Sequence, residues 1–335
     1  MRISWTIVVL TCVVFLSGCS GMPGPTPIQT TAGSVPGAAL QGMVHGGQQP
    51  IVGAKVYLYA ANTTGYGNAA LSLLQSAGGT VSDGTNYYYP TQSGGTFSIS
   101  GDFTCPSAGS QVYLYAVGGD PGLGDGTNAA IGLMAALGTC GSLSSAPYVV
   151  INEISTIATA YSIAGFATDA THVSSSSNTL ATATDVPNAF ATVTNLESLG
   201  RGVALATTPN GNGVVPQAEI DILADILAAC VNSAGPSSTP CSTLFSNAKN
   251  GNSQPSETAT AAINIAHNPG ANVATIFGLL PSDRPFQPSG GSRTNDFTIA
   301  ITYTGGGLDG TGVAPWELPS MPRATCGCRT SAPPT

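Results

Sequence analysis

The stretch LQGMVHGGQQPIVGAKVYLYA, residues 40–60, sets two short apolar runs on either side of a Gly- and Pro-rich link. In the second run Ala54, Val56 and Leu58 alternate with Lys55, Tyr57 and Tyr59. A period of two places one set on each face of a strand, so the stretch reads as strand, turn, strand. Working outward, GTFSIS (95–100) and SQVYLYAVGG (110–119) supply two more strands, and their glycines suit turns.

The positions Gly42, Val44, Pro50, Gly53, Ala54, Val56, Leu58, Gly95, Phe97 and Ile99 follow the pattern G-x-V, a Pro turn, G-A-x-V-x-L and G-x-F-x-I. Over residues 38–118 the chain thereby resembles the carboxypeptidase regulatory-like family. That resemblance implies a transthyretin-like antiparallel β-sandwich and a non-catalytic companion role. Related collagen-adhesin modules cross-link themselves through a Lys in the first strand. Here ALQGMVHG has no Lys and Lys55 lies on the outward phase, so no isopeptide bond is expected. Tyr57 and Tyr59, with Tyr87, Tyr88 and Tyr89 in an inserted loop, either cover a sheet face or form a ligand surface. Tyr57, Tyr59 and Tyr88 are the candidates for the latter.

From Thr127 the apolar spacing turns helical. TNAAIGLMAALG (127–138) reads as a helix stopped at Gly138, and NEISTIATAYSIAGF (152–166) as one capped by Asn152. DVPNAFATVTNLESLG (185–200) opens on Asp185 with Pro187 in its first turn and stops at Gly200. In PQAEIDILADILAACVNS (216–233), Ile220, Leu223, Ala224, Leu227 and Cys230 form one stripe. ETATAAINIAHNPG and NVATIFGLLP complete about six short helices over 125–282. The expected class is therefore α+β and multidomain: an N-terminal sandwich, a compact all-α domain, then a final strand (295–307, NDFTIAITYTGGG) with an irregular tail.

The N-terminus speaks to location. Arg2 precedes the apolar ISWTIVVLTCVVF, too short to span a bilayer, and then Leu16-Ser17-Gly18-Cys19. This ending resembles the lipobox of bacterial lipoproteins. The resemblance implies a signal peptide over 1–18, lipidation of Cys19 and, with Ser20 following, delivery to the outer membrane. Acyl chains hold at roughly 0.8 kcal/mol per buried methylene, so the expected partner is a membrane. Residues 19–37 read as a Pro/Gly/Thr-rich tether.

Charged residues make up 7% of the chain against about 25% in average domains, and the net charge is −8. With no basic run, nucleic acid is excluded as a partner. Cys105, Cys140, Cys230 and Cys241 stay in the body and allow three pairings. The turn-forming residues between Cys230 and Cys241 favour that pair, leaving Cys105 with Cys140. A four-Cys zinc site lacks any close C-x-x-C.

Catalytic parts are scarce. His45, His172 and His267 have no acidic or His partner at ligand spacing, and no H-E-x-x-H or G-x-S-x-G occurs. Ser246-x-x-Lys249 stands without companion motifs, and Glu153 near a helix start complements the dipole. Asp120, Asp125 and Asn128 in GGDPGLGDGTN suit calcium by type but match no EF-hand spacing. A turn in which Asp125 or Thr127 caps a following helix explains them equally. No cofactor and no enzyme activity are expected.

The whole order of features resembles a family of bacterial envelope proteins: lipobox, regulatory-like module, INEIST helix, Cys-containing helices, then N-D-[FW]-T-[IL]-A-I-T-Y. Its chains continue into an NHL-type β-propeller with repeats similar to those of streptogramin lyase. The final residues 308–335 change dialect, with Trp316, Cys326, Cys328 and Arg329 in no regular period. Back-translated and read in a shifted frame, ELPSMPRATCGCRT yields Ile-Ala-Ile-Asp-Ala-Ala-Gly-Asn-Val-Trp-Val-Pro-Asn, a propeller-blade phrase. The tail thus reads as frameshifted. The sequence-level expectation is a truncated, lipid-anchored structural or binding module with an envelope glycan or protein as partner. The alternatives are a lyase-like enzyme whose catalytic part is missing, a hydrolase in the helical region, or a tyrosine-lined glycan- or peptide-binding surface.

Overall fold

Leu40–Gly46 and Lys55–Ala60 are both strands, but they do not pair with each other. A computed structural model describes residues 33–145, 148–175, 182–288 and 295–303, and in it the 46–54 link carries the chain from one sheet to another. Leu40–Gly46 pairs antiparallel with Thr96–Ile99 and Gln49–Pro50, and parallel with Val149–Ile151. Lys55–Ala60 lies in the second sheet, whose order is Gly132–Thr139, Gln111–Val117, Lys55–Ala60, Tyr87–Pro90 and Val81–Ser82. Leu71–Ser72 also pairs with Lys55–Ala60. Leu40, Val44, Phe97 and Ile99 of the first sheet share one apolar core with Val56, Leu58 and Leu114 of the second.

The period of two is real, yet its outward phase is not wet. Tyr57, Tyr59, Tyr113 and Tyr115 are each at most 7% exposed, because they share one apolar core with side chains of the helices, Phe190 lying against Tyr113. The helices of the described residues are α1 (Glu153–Ile163), α2 (Thr182–Leu196), α3 (Gln217–Val231), α4 (Thr239–Asn247), α5 (Thr258–His267) and α6 (Val273–Phe277). The class is α+β, with antiparallel sheets and helices contributing to a common core.

Several expectations change here. The helix expected over 127–138 is the strand Gly132–Thr139. Leu133 and Ala135 enter the core between the sheets, while Met134 and Ala136 enter the core under the helices. Burial on both faces leaves an unbroken apolar run whose periodicity cannot separate strand from helix. Sheet structure therefore continues past residue 118 to Ile151. Tyr87–Tyr89 belong to a strand rather than an inserted loop. Val35–Pro36, at the end of the expected tether, pairs with Thr104–Cys105. Helix α2 starts at Thr182, ahead of Asp185, and α4 forms where no helix was foreseen. Of the final strand only Thr302–Tyr303 is laddered, against Gly213–Val214, and residues 304–307 lie outside the described residues.

Helices form in the other expected stretches, but α2 ends at Leu196, short of Gly200, because Glu197–Ser198 pairs with Val203–Ala204. Asn152 caps α1 by accepting from Ser155 N at 3.0 Å. The α3 stripe Ile220, Leu223, Ala224, Leu227 and Cys230 is buried. Gly132–Thr139 ends its sheet, and helix hydroxyls complete its free edge. Thr156 Oγ1 accepts from Met134 N at 2.9 Å and Thr159 Oγ1 from Ala136 N at 3.0 Å. Thr258 Oγ1 accepts from Gly132 N and donates to Gly132 O. An edge covered in this way offers no template for pairing with another chain.

Candidate functional site

Five segments meet around a cavity of about 440 Å³. His45 and Gly47 come from the end of the first strand, Asn152 from the cap of α1, Arg201 and Gly202 from the turn before Val203–Ala204. Asp221 comes from α3, and Pro285 to Gln287 close the rim. Neutral hydrogen bonds pin these walls together. Gln48 Nε2 donates to Pro285 O at 2.9 Å and Asn152 Nδ2 to Gly202 O at 2.8 Å. Phe286 N donates to Asp225 Oδ1 at 3.0 Å, fixing the rim to α3. Gly202 has φ +61°, and a Cβ there would meet Val150 Cγ1 at 2.6 Å, so the turn needs glycine.

Acid groups gather behind the floor. Glu153 is fully buried, and both its carboxylate oxygens accept from Gly47 N, at 2.9 and 3.0 Å. Burial pushes its pKa up to about 8, and the charge of Asp225 adds to this against the backbone bonds. Asp221 is 2% exposed, and burial followed by the charge of Asp225 raises it to about 7. Its Oδ2 has no hydrogen-bond partner among the described residues. His45 is half-buried and its pKa is lowered by that burial, which favours the neutral imidazole. Arg201 is exposed at the rim and makes no ion pair among the described residues. The cavity thus offers a buried carboxyl acceptor on Asp221, the exposed cation of Arg201 and the imidazole of His45.

The residues singled out from sequence fare differently. Tyr57 and Tyr59 are 7% and 6% exposed, their rings 5.9 Å apart under the helices, so they are not a free ligand surface. Tyr57 Oη donates to Asp83 Oδ2 at 2.8 Å. Tyr88 is half-buried against Tyr57, with Lys55 Nζ 5.3 Å from its ring centre. Cys105 and Cys140 stand at disulfide distance with Cα atoms 6.2 Å apart, as do Cys230 and Cys241 at 4.6 Å. Cys19 and the 308–335 tail lie outside the described residues.

The calcium donors do not assemble. Asn128 is buried, its Nδ2 donating to the carbonyls of Cys230, Val231 and Ser233 and its Oδ1 accepting from Ala130 N. Asp120 Oδ1 accepts from Gly122 N at 2.7 Å, and Asp125 is exposed. No helix follows for Asp125 or Thr127 to cap, since the next element is a strand. Among the described residues no group of three His, Cys, Asp or Glu side chains is placed to hold a metal ion.

His172 does have an acidic partner, Asp169, at 2.9 Å across a tight turn, where Asp169 also accepts from the backbone of Thr171 and His172. His267 bonds Ala164 O and Asn250, tying α5 to α1. Asp221, Arg201 and His45 as a group were not legible in sequence. Their one signal is Asp221 and Asp225 spaced i, i+4 within the apolar IDILADIL. No protein-family model, curated protein or solved structure matches this chain.

Proposed function

We propose that this chain is a lipid-anchored protein of the bacterial outer membrane whose folded part is a non-catalytic structural and binding module. The carrying observation is the placement of all four body cysteines as two pairs at disulfide distance. Such pairs persist in oxidising compartments outside the cytosol, in keeping with the lipobox at Leu16 to Cys19. Two sheets facing across one core support the regulatory-like sandwich reading. With the tyrosine face sealed, ligand recognition in this reading falls to the polar cavity rather than to the sheet.

A hydrolytic enzyme is the second reading. One observation favours it: Asp221, raised to about 7 by burial, and His45, lowered by burial, line the same cavity, and such groups suit proton transfer.

Membrane fractionation of cells expressing the chain and its Cys19→Ala variant tests the anchor. We expect the wild type in the membrane pellet and the variant released to the soluble fraction. A variant that still sediments with membranes overturns the anchor.

A further inference from the structure

The cavity holds opposite charges that do not meet. Asp221 on its wall is 2% exposed, while Arg201 at its rim is exposed, and the two form no ion pair. A buried carboxylate oxygen without a donor is costly, and a ligand that supplies the donor recovers that cost. Among the described residues Asp221 Oδ2 is in this position. No hydrogen bond reaches it from the neighbouring acids among those residues, Glu153 accepting from Gly47 N and Asp225 Oδ1 from Phe286 N.

Asp221, with the charge of Asp225 close to it, disfavours an anion there and favours a cation. A metal ion is a poor occupant, because no group of three His, Cys, Asp or Glu side chains among the described residues is placed to hold one. An ammonium needs less: one carboxylate, and acceptors that need not form a complete shell. Arg201 then calls for an anionic group at the other end, toward solvent. A cavity of about 440 Å³ falls in the range of small-molecule sites and is too small for a folded partner. Its walls are already pinned by the Gln48–Pro285 and Asn152–Gly202 bonds, so little ordering is lost on binding.

We propose that this pocket binds a small zwitterion, an amino acid or a short peptide, with its ammonium on Asp221 and its carboxylate on Arg201. The proposal names the ligand of the binding module described above, but it does not need the lipid anchor. Failure of binding in a protein that still fractionates with membranes would refute the ligand and leave the location standing.

The test is calorimetric titration of the full mature chain at neutral pH with L-alanine, L-alanyl-L-alanine, N-acetyl-L-alanyl-L-alanine and L-alanyl-L-alanine amide. Saturable one-to-one binding is expected of the amino acid or the free dipeptide. Acetylating the amine, or Asp221→Asn, is expected to weaken it roughly tenfold or more, the usual loss for a charged hydrogen bond. The amide and Arg201→Ala are expected to weaken it less, since Arg201 is exposed. Equal binding of the acetylated and free peptides overturns the ammonium assignment whatever the variants do. No binding of any of the four overturns the proposal.

Discussion

Thr156 Oγ1, on α1, accepts a hydrogen bond from the backbone N–H of Met134 at 2.9 Å, so a helix side chain stands where a neighbouring strand is missing. The same hydroxyl donates to Asn152 O at 2.7 Å, linking the sheet edge to the cap of the helix. Thr159 Oγ1 repeats the device by accepting from Ala136 N, and Ser155 Oγ complements it by donating to Met134 O. This explains why a helix with so many hydroxyls, EISTIATAYSI, is buried along most of its length.

Thr156→Val keeps the shape but leaves Met134 N unpaired in the interior. A loss of about 1–3 kcal/mol is expected from an orphaned buried donor. Urea midpoints of wild type, Thr156→Val and Thr156→Ser check it, with Ser expected to retain most of the stability.

The two disulfides should contribute unequally. Cys105 and Cys140 are 35 residues apart, Cys230 and Cys241 only 11. Loop-entropy arithmetic gives about 4 kcal/mol for the longer loop and about 3 for the shorter. Thermal melts of the two double Cys→Ala variants should rank in that order.

Gly42 pairs with Val149 in the parallel ladder, and a Cβ there would run into Val149 O and the Phe97 ring. Backbone cannot yield as a side-chain tip can. Gly42→Ala should cost about 1–3 kcal/mol, as overpacking does, and lower the melting temperature without changing the helical circular dichroism of the folded state.

Stability should fall as pH rises. Glu197 is buried with neither carboxylate oxygen partnered among the described residues, and burial raises its pKa from 4.5 to about 8. Glu153 is raised to a similar value, and Asp221 to about 7. The folded state therefore holds protons that the unfolded state releases. Their stabilisation is complete below pH about 4.5 and is lost progressively toward pH about 8. Denaturant midpoints across that window should decline with pH. Glu197→Gln, which carries no charge to bury, should flatten the decline and be more stable than wild type at its alkaline end.

How much of this was legible depended on local chemistry. Asn152 ahead of EIS announces a cap because its side chain satisfies a nearby N–H, a purely local event. The strand Gly132–Thr139 was not legible, because whether GLMAALGT extends depends on Gln111–Val117 beside it. Tyr57 and Tyr59 alternate as a solvent-facing set would, and only α1, α2 and their neighbours decide that the face is dry. The cavity is further still from sequence. Its residues lie in five segments from Met43 to Gln287, and an acid such as Asp221 in an apolar helix shows its burial only once that helix is packed.

The most direct test of an exported, disulfide-stapled, lipid-anchored module is peptide mass mapping of the protein taken from membranes, with free thiols blocked before digestion. The account predicts a diacylglyceryl-modified N-terminal peptide beginning at Cys19, and the linked pairs Cys105–Cys140 and Cys230–Cys241 without blocked thiol. An unmodified Cys19 within an intact leader, with the four body cysteines all blocked, would contradict it.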